Sequence, residues 1–312
     1  MTRNFGLGSR DMGIAGNFAL NDAVKNRSIS FSTAGTNRHR WHSFTIWAKD
    51  NGVKKMEYVT RELVKKYGRE LAQKVNTRDL SAATAQVYVS AVNSVMSIAT
   101  QRKWQSVSPT KDCNIPQRCA VRLDAPGALD RAAYASAVEA VRNKLGDRVA
   151  AVVELARRLG LRSKEASLLD SRAALAQARE KEIVTITFGT KGGRKRDVPI
   201  TSQEQVQALQ RAAQAQGSDR SMIPIDQSWQ RWRSKELREA RDLVRQHTTG
   251  GLHDLRSTYA CLRYLEKTGH AAPAAGGLIA DKGKDLDARK EISRELGHNR
   301  VEVVAEYVGG RR

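Results

Sequence analysis

Cysteines and long apolar stretches, on which secreted and membrane proteins depend, are scarce in this sequence. Its 312 residues include three cysteines, which cannot all pair, and the spacing of Cys113 and Cys119 is not typical of a zinc finger. No run of about 18 or more residues is apolar, and the first residues lack the apolar core of a signal peptide. We therefore expect a cytoplasmic protein with reduced, unligated thiols, and neither a disulfide scaffold nor a membrane protein.

Acidic residues are also scarce relative to basic ones. The sequence has 54 Lys and Arg residues against 33 Asp and Glu, which gives a net charge of +21 and a pI near 10.2. The commonest partner of so large a positive field is a polyphosphate backbone, so nucleic acid is the leading partner. A membrane surface is the rival, but without an apolar span we expect no membrane association.

The motifs of nucleotide- and magnesium-dependent enzymes are absent from the sequence. It contains no Gly-x-x-x-x-Gly-Lys-Ser/Thr loop that would hold the phosphates of ATP. It also contains no Asp-x-Asp or paired-carboxylate cluster that would hold magnesium. We therefore expect no cofactor and no metal.

Turn-forming residues divide the chain near its middle. Residues 106–127 hold prolines and other turn formers, and their apolar periodicity is weak, which is typical of a linker. The chain is long enough for a hydrophobic core on each side of this linker. We expect a small, basic helical domain over 31–105 and a larger domain over 128–312. Residues 1–30, rich in Gly, Asn and Arg, predict a basic flexible arm.

Periodicity predicts a mainly α-helical protein with a small β-hairpin, an α+β fold class with two domains. Apolar residues recur at three- and four-residue steps, as amphipathic helices require. The predicted helices cover 36–49, 59–73, 82–99, 132–145, 148–159, 203–216, 230–245, 255–268 and 286–296. Residues 182–188 alternate, 189–193 supply a turn and 194–200 return, which predicts a hairpin with Lys191 at its tip. Segment 269–285, with its Ala-Pro-Ala-Ala-Gly-Gly run, predicts a mobile surface loop.

Four short motifs follow one another in the second half of the chain. They are Gly-Leu-Arg-Ser-Lys-Glu at 160–165, Thr-Lys-Gly-Gly-Arg-Lys-Arg-Asp-Val-Pro at 190–199, His-Asp-Leu-Arg-Ser-Thr-Tyr-Ala at 253–260, and Leu-Gly-His at 296–298 with Tyr307 nine residues after the histidine. Each motif alone is weak, but four of them in this order are hard to obtain by chance. At these positions the chain resembles the tyrosine recombinases, also called phage-type integrases.

The resemblance implies a domain organisation, a reaction and partners. It implies that 31–105 is a helical DNA core-binding domain and that 128–312 is the catalytic domain. It implies a site-specific recombinase that cleaves and rejoins double-stranded DNA and assembles as a tetramer on synapsed DNA sites. Accessory DNA-bending proteins are possible further partners. Because the substrate is DNA, the expected location is the cytoplasm, in association with the nucleoid.

Two arginines and a histidine in these motifs suit a phosphodiester. The transition state of phosphoryl transfer concentrates negative charge on the non-bridging oxygens, which permanently charged, bidentate guanidiniums can hold. Arg162 and Arg256 are the candidates for this clamp, and His298 is the candidate for a third donor. Glu165 lies three residues after Arg162 on the same helical face, so we expect it to support a guanidinium or a histidine.

Tyr307 is the nucleophile that the resemblance implies. A phenol is a poor nucleophile at neutral pH unless positive charge and a proton acceptor favour the phenolate, and the motifs offer both. His253 is the candidate general acid/base near Tyr307. By the same resemblance, Lys191 protonates the leaving 5′ oxygen while a 3′-phosphotyrosine forms. The bond energy stays in the covalent link, so that rejoining needs neither ATP nor metal.

Each site residue also has a plain structural interpretation, as a surface arginine, a helix N-cap, a core aromatic or a turn lysine. Tyr259 and Tyr264 are weaker candidates for the nucleophile. The preferred function is the integrase of a mobile element, with resolution of replicon dimers as a variant. The alternatives are a type IB topoisomerase-like enzyme that nicks and reseals one duplex, and a catalytically silent DNA-binding protein of the same fold.

Three features depart from the pattern of the family. Arg256 and His298 lie farther apart in the sequence than is common, so 269–285 is interpreted as an insertion. A strand usually follows the first arginine motif, whereas residues 171–180 are predicted to be helical or irregular. Residues 308–312 alone follow Tyr307 here, whereas many relatives use a longer tail to dock on a neighbouring protomer.

Overall fold

The computed structural model describes residues 3–310, which form two compact units that divide between Cys119 and Ala120. Each unit has its own hydrophobic core. Within the described residues, no helix is both long and apolar enough to cross a membrane. Residues 1–2 of the expected arm and residues 311–312 of the tail lie outside the described part of the chain.

Helices with well-formed N-terminal caps build the first unit. They are α1 Met12–Lys25, α2 Phe31–Asp50, α3 Arg61–Asn76 and α4 Ala82–Ala99. Before each helix, a Ser, Thr or Asp side chain accepts a hydrogen bond from the backbone N–H three residues ahead, which satisfies a donor that the helix cannot. α4 packs against the other three. The helices predicted over 36–49, 59–73 and 82–99 are confirmed, and α2 begins earlier than predicted.

The predicted basic flexible arm over 1–30 instead contributes a helix to the first core. α1 buries Met12 and Leu20, and Trp41 Nε1 donates a hydrogen bond to the Met12 carbonyl oxygen at 3.2 Å. A Cβ on Gly16 would come within 2.0 Å of Trp41 Nε1. The small residues that suggested disorder are the ones that allow α1 to lie close to α2. The prediction of an arm is therefore wrong over the length of α1.

Part of the predicted linker over 106–127 belongs to the folded units. Val107, Cys113 and Ile115 are buried in the first core, and Pro126 is buried in the second unit. Turn formers dominate the composition of this stretch, so its periodicity is weak. The few apolar side chains among them nevertheless bury their surface, and this decides where the segment lies.

The second unit combines helices with a small hairpin. Its helices are α5 Arg131–Leu145, α6 Asp147–Arg158, α7 Ser163–Leu168, α8 Ser171–Lys181, α9 Gln203–Gln216, α10 Trp229–Ser234, α11 Glu236–Thr248, α12 Leu252–Thr268, α13 Lys282–Glu295 and α14 Ala305–Val308. Strands β1 Ile183–Ile186 and β2 Arg196–Pro199 pair antiparallel, and a 3₁₀ turn over Lys191–Gly193 lies between them. The predicted α+β class with a small hairpin is confirmed.

Differences from the predicted elements of the second unit are local. The helix predicted over 230–245 is broken at Lys235, where φ is −112° and ψ is −80°, so that α10 and α11 are separate. Residues 171–180 are helical in α8, which begins after an Asp170 cap. α6 is buried over most of its length and contacts α5, α9 and α12, so it forms the centre of this unit.

The segment predicted to be a mobile loop, 269–285, packs more closely than its composition suggests. It contains a 3₁₀ turn over Pro273–Ala275, in which Ala274 is buried, and α13 begins within it at Lys282. Alanine and glycine lack bulk, but they let one backbone approach another. A Cβ on Gly309 would lie 2.6 Å from the Ala274 nitrogen. The prediction that this segment cannot pack is therefore wrong.

Candidate active site

Tyr307 lies in a cluster of side chains that separate elements bring together. Its Oη lies 2.9 Å from His298 Nε2, which follows α13. Arg256, in the first turns of α12, places Nη2 3.5 Å from His298 Nε2 and Cζ 5.6 Å from the centre of the Tyr307 ring. The ring centre of His253, on the same helix, lies 5.6 Å from that of Tyr307. Two of the four motifs therefore meet around one phenol, and Arg162 of a third motif joins them through Glu165, which lies 3.8 Å from Arg256 Nη1.

Glu165 is a fully buried carboxylate that binds more than one guanidinium. It accepts hydrogen bonds from the backbone N–H and the Nη1 of Arg162, both at 2.7 Å. It also accepts from Arg196 Nη1 at 2.7 Å and Arg196 Nη2 at 2.8 Å, and Arg256 Nη1 lies 3.8 Å away. These positive neighbours outweigh the effect of burial and lower the pKa of Glu165, although burial alone would raise it. One negative charge thus holds three positive ones close together.

Arg196 is the site residue that the sequence analysis missed. It stands in the hairpin motif, at the start of β2, and its side chain is buried rather than solvated. Its Nε donates to the Glu295 carbonyl oxygen at 2.7 Å, while its two Nη atoms bind Glu165. Its fixed place in the motif was the only signal, because a run of basic residues around a turn otherwise suggests a solvated surface.

Backbone carbonyls fix the Arg256 guanidinium. Its Nη1 donates to the carbonyl oxygen of Gly160, and its Nη2 donates to that of Leu296. Gly160 has a φ of +62°, and a Cβ there would lie 2.5 Å from the Tyr259 ring, so the motif requires glycine at this position. Burial and then the Arg162 charge lower the pKa of Arg256 to about 10, which leaves it charged at neutral pH.

Both histidines of the site are neutral at physiological pH. Burial, followed by the charges of Arg256 and Arg162, lowers the pKa of His298 to about 4. The same causes in the same order lower the pKa of His253, and the nearby Asp254 carboxylate only partly opposes them. A neutral imidazole has one free lone pair, so each histidine can accept a proton.

The lowered pKa of His298 predicts a stability that falls with acidity. In the unfolded chain its pKa returns to about 6.5, so between about pH 6.5 and 4 the unfolded chain binds more protons than the folded one. The stabilisation that comes from the lowered pKa of His298 is complete above about pH 6.5 and is lost as the pH falls towards about 4. We expect the thermal midpoint to drop by several degrees from about pH 7 to about pH 5, and to drop less in His298→Gln. His270→Gln, at an exposed histidine, is the control, and equal drops in all three proteins would contradict the assignment.

Lys191 is exposed on the 3₁₀ turn of the hairpin. Within the described part of the chain, no hydrogen bond or ion pair joins it to the other candidates. Its positive charge nevertheless contributes to the lowered pKa of His298, after Arg256 and Arg162. Among residues 3–310, no group of three or more His, Cys, Asp and Glu side chains could hold a metal ion.

Two other tyrosines near the site are engaged in buried hydrogen bonds. Tyr259 Oη donates to Glu295 Oε2 at 2.7 Å, and Tyr264 Oη donates to Asp285 Oδ1 at 2.9 Å. Burial and the neighbouring carboxylate raise the pKa of Tyr259 well above its usual value and that of Tyr264 to about 12. Both phenols are therefore harder to ionise than an exposed one, and Tyr307 remains the better candidate.

Comparisons with known proteins identify a matching family model and similar folds. The family model described as Integrase matches residues 117–262, and a search of curated proteins finds no match. The fold is similar to a lambda integrase tetramer bound to a Holliday junction, with a TM-score of 0.59, 15% identity and coverage of 97% of this chain and 79% of that one. For the Tn1549 transposon integrase in complex with circular intermediate DNA, the TM-score is 0.56 and the identity 11%, with 95% of each chain covered. For the XerH site-specific recombinase bound to a palindromic difH substrate, the values are 0.57 and 15%, with 94% and 80% covered.

Proposed function

We propose that this chain is a tyrosine recombinase that cleaves and rejoins DNA through a 3′-phosphotyrosine on Tyr307, and its Integrase family match over 117–262 and its similar folds support the proposal. The observation that carries the proposal is the short contact between Tyr307 Oη and His298 Nε2, with the Arg256 guanidinium beside the ring. A net charge of +21 suits a DNA substrate. The similar structures are of proteins bound to DNA. The lambda integrase is bound as a tetramer to a Holliday junction, and the XerH recombinase is bound to its substrate.

In this mechanism, Arg162, Arg256 and His298 hold the non-bridging oxygens of the scissile phosphate. The Nε of Arg256 is buried and has no hydrogen-bond partner among the described residues, so it is a donor that a phosphate oxygen can use. Arg256 and Tyr307 are both buried, and we therefore expect the phosphate to enter over the partly exposed Arg162 and to displace the Tyr307 ring. The fixed guanidiniums then stabilise charge that grows in the transition state.

Proton transfers complete the reaction. Neutral His253 accepts the proton of Tyr307 as its oxygen bonds to phosphorus, while His298 turns from the phenol to the phosphate. Lys191 then gives a proton to the 5′ oxygen that leaves. The phosphodiester energy is kept in the tyrosine ester, so attack by a second 5′-hydroxyl reverses the step. Glu165 and Arg196 take no part in these transfers but hold the clamp in position.

The biological role that we propose is the integrase of a mobile element, acting as a tetramer on two DNA sites. The Tn1549 transposon integrase and the lambda integrase support this choice by their similar folds. Residues 31–105 would supply core-site contacts, with help from accessory DNA-bending proteins at sites that need bending. Resolution of replicon dimers is the same chemistry on a different pair of sites.

The proposal predicts a covalent protein–DNA adduct. Duplexes that cover the DNA flanking the gene are nicked next to each candidate cleavage point, so that the cleaved end diffuses away and the intermediate accumulates. We expect a species that survives boiling in detergent, carries DNA on its 3′ phosphate and forms in the presence of chelator without ATP.

Further outcomes separate the alternatives. Strand exchange between two site-bearing duplexes supports a recombinase, whereas relaxation of supercoiled DNA without a preferred site supports a topoisomerase. Specific binding without any adduct would identify a silent DNA-binding protein. Attachment to a 5′ phosphate, or a requirement for a divalent metal, would contradict the mechanism.

A further inference from the structure

The backbone just beyond Tyr307 is held by a buried ion pair that lies outside the four motifs. Arg289 and Asp285 stand one turn apart on α13, each 1% exposed, with Arg289 Nε 2.7 Å from Asp285 Oδ1. The other two nitrogens of this guanidinium, Nη1 and Nη2, bind residues outside α13. Nη1 donates to the Gly309 carbonyl oxygen at 2.9 Å, and Nη2 donates to that of Gly310 at 3.4 Å.

Two further elements contact the same segment. Cys261 Sγ, on α12, lies 3.5 Å from the Tyr307 carbonyl oxygen. The Ala274 backbone packs against Gly309, whose φ of +94° only glycine adopts readily, and a Cβ there would lie 2.6 Å from the Ala274 nitrogen. The residues after the nucleophile are thus held by α12, by the 3₁₀ turn over Pro273–Ala275 and by α13.

Stability alone is a weak reason for a buried ion pair, because desolvation of both charges offsets most of their attraction. A guanidinium that donates hydrogen bonds to two carbonyl oxygens, however, fixes both the position and the orientation of the backbone. α14 spans only Ala305–Val308, and so short a helix does not hold its own shape. The position of Tyr307 therefore depends on what anchors the residues that follow it.

We propose that Arg289 and Asp285 are positioning residues that fix the backbone at Tyr307 for attack, and that segment 269–285 contributes Asp285 and the turn over Pro273–Ala275 to this anchor. The inference rests on the proposed function, since it assigns the anchor to the nucleophile of that reaction. Tyr264 supports the pair, because its Oη donates to Asp285 Oδ1. A nucleophile displaced by about 1 Å loses about 10²-fold in rate, so a small shift of this segment has a large effect.

Arg289→Lys tests the anchor and keeps the positive charge beside Asp285. Lysine can still pair with the carboxylate, but it has no rigid fork to bind the carbonyl oxygens of Gly309 and Gly310. At saturating DNA we expect adduct formation to slow about 10- to 100-fold, with unchanged DNA affinity. Gly309→Ala displaces the same segment from the other side and leaves the ion pair intact, so we expect the same loss.

Arg157→Lys is the matched control. Arg157 is also buried, and its Nε donates to a backbone carbonyl oxygen, that of Ala128, at 2.9 Å. A 3-fluorotyrosine at position 307, observed by ¹⁹F NMR in the DNA-free protein, reports on the ring itself. We expect its resonance to shift or split in Arg289→Lys and Gly309→Ala and to stay in place in Arg157→Lys.

The results separate this inference from the proposed function. If the wild type forms no adduct, the proposed function fails, while the ¹⁹F spectra still decide whether the anchor positions Tyr307. An unchanged resonance and an unchanged rate in Arg289→Lys would overturn the inference. Equal slowing in Arg289→Lys and Arg157→Lys with unchanged resonances would overturn it too, because the loss would then reflect stability alone.

Discussion

Tyr307→Phe gives a protein that folds and binds DNA but forms no covalent adduct. The change removes one oxygen from a side chain that is 2% exposed, so the packing of the ring is retained. It also deletes the hydrogen bond to His298 Nε2, whose net contribution is about 1 kcal/mol. That loss is small against the stability of a folded domain. The nucleophile itself is gone, so the adduct is absent rather than slow to form.

The adduct is measured on the nicked duplex by its survival in boiling detergent. Tyr134→Phe is the matched control, because it removes a hydroxyl from another buried tyrosine, on α5, and should leave the adduct intact. Peptide mapping of the wild-type adduct should place the DNA on Tyr307 rather than on Tyr259 or Tyr264. An adduct that persists in Tyr307→Phe would mean that the nucleophile is another residue.

Local periodicity in the sequence was sufficient to predict many of the helices and the hairpin. The bounds predicted for the helices over 82–99 and 203–216 match those of the structure, because apolar residues recur at three- and four-residue steps along both. The hairpin followed from alternation over 182–188, a glycine-rich turn and a segment that can return as a second strand. The residues proposed for the clamp and the nucleophile were found because each motif holds its side chain and its turn in one short stretch of sequence.

The sequence could not show which charged side chains are buried. The sequence has 54 Lys and Arg residues, and nothing local marks which of them are internal. Arg196 binds Glu165, which is 31 positions away, and Arg289 binds the carbonyl oxygens of Gly309 and Gly310, which are 20 and 21 positions away. A charged side chain becomes internal only when such distant partners offset its desolvation, so tertiary structure decides it.

Small residues misled the sequence analysis for a related reason. Gly, Asn and Arg in residues 1–30 suggested an arm, and alanine and glycine in residues 269–285 suggested a mobile loop, because such residues bury little apolar surface. In the fold they allow close contact with Trp41 in one case and with Gly309 in the other. Composition does not distinguish a segment that lacks bulk from a segment that must fit a narrow space.

Arg256→Lys keeps the charge of the clamp and tests its geometry. Arg256 is 0% exposed and uses one Nη for the Gly160 carbonyl oxygen and the other for that of Leu296, which leaves Nε for the phosphate. A lysine ammonium is a single point and cannot reach all three positions. We expect adduct formation at saturating DNA to slow by at least about 10²-fold, while DNA affinity changes little.

The comparison with Arg157→Lys shows whether that loss belongs to the reaction. Arg157 is 2% exposed and also binds a backbone carbonyl oxygen, so Arg157→Lys likewise removes a buried guanidinium from its hydrogen bond. Only Arg256 lies beside Tyr307 and His298, with Nη2 3.5 Å from the imidazole. If lower stability were the cause, both variants would lose thermal midpoint and cleavage rate in proportion. A normal rate in Arg256→Lys would mean that charge near the phosphate is sufficient, and that the fork onto Gly160 and Leu296 serves the fold alone.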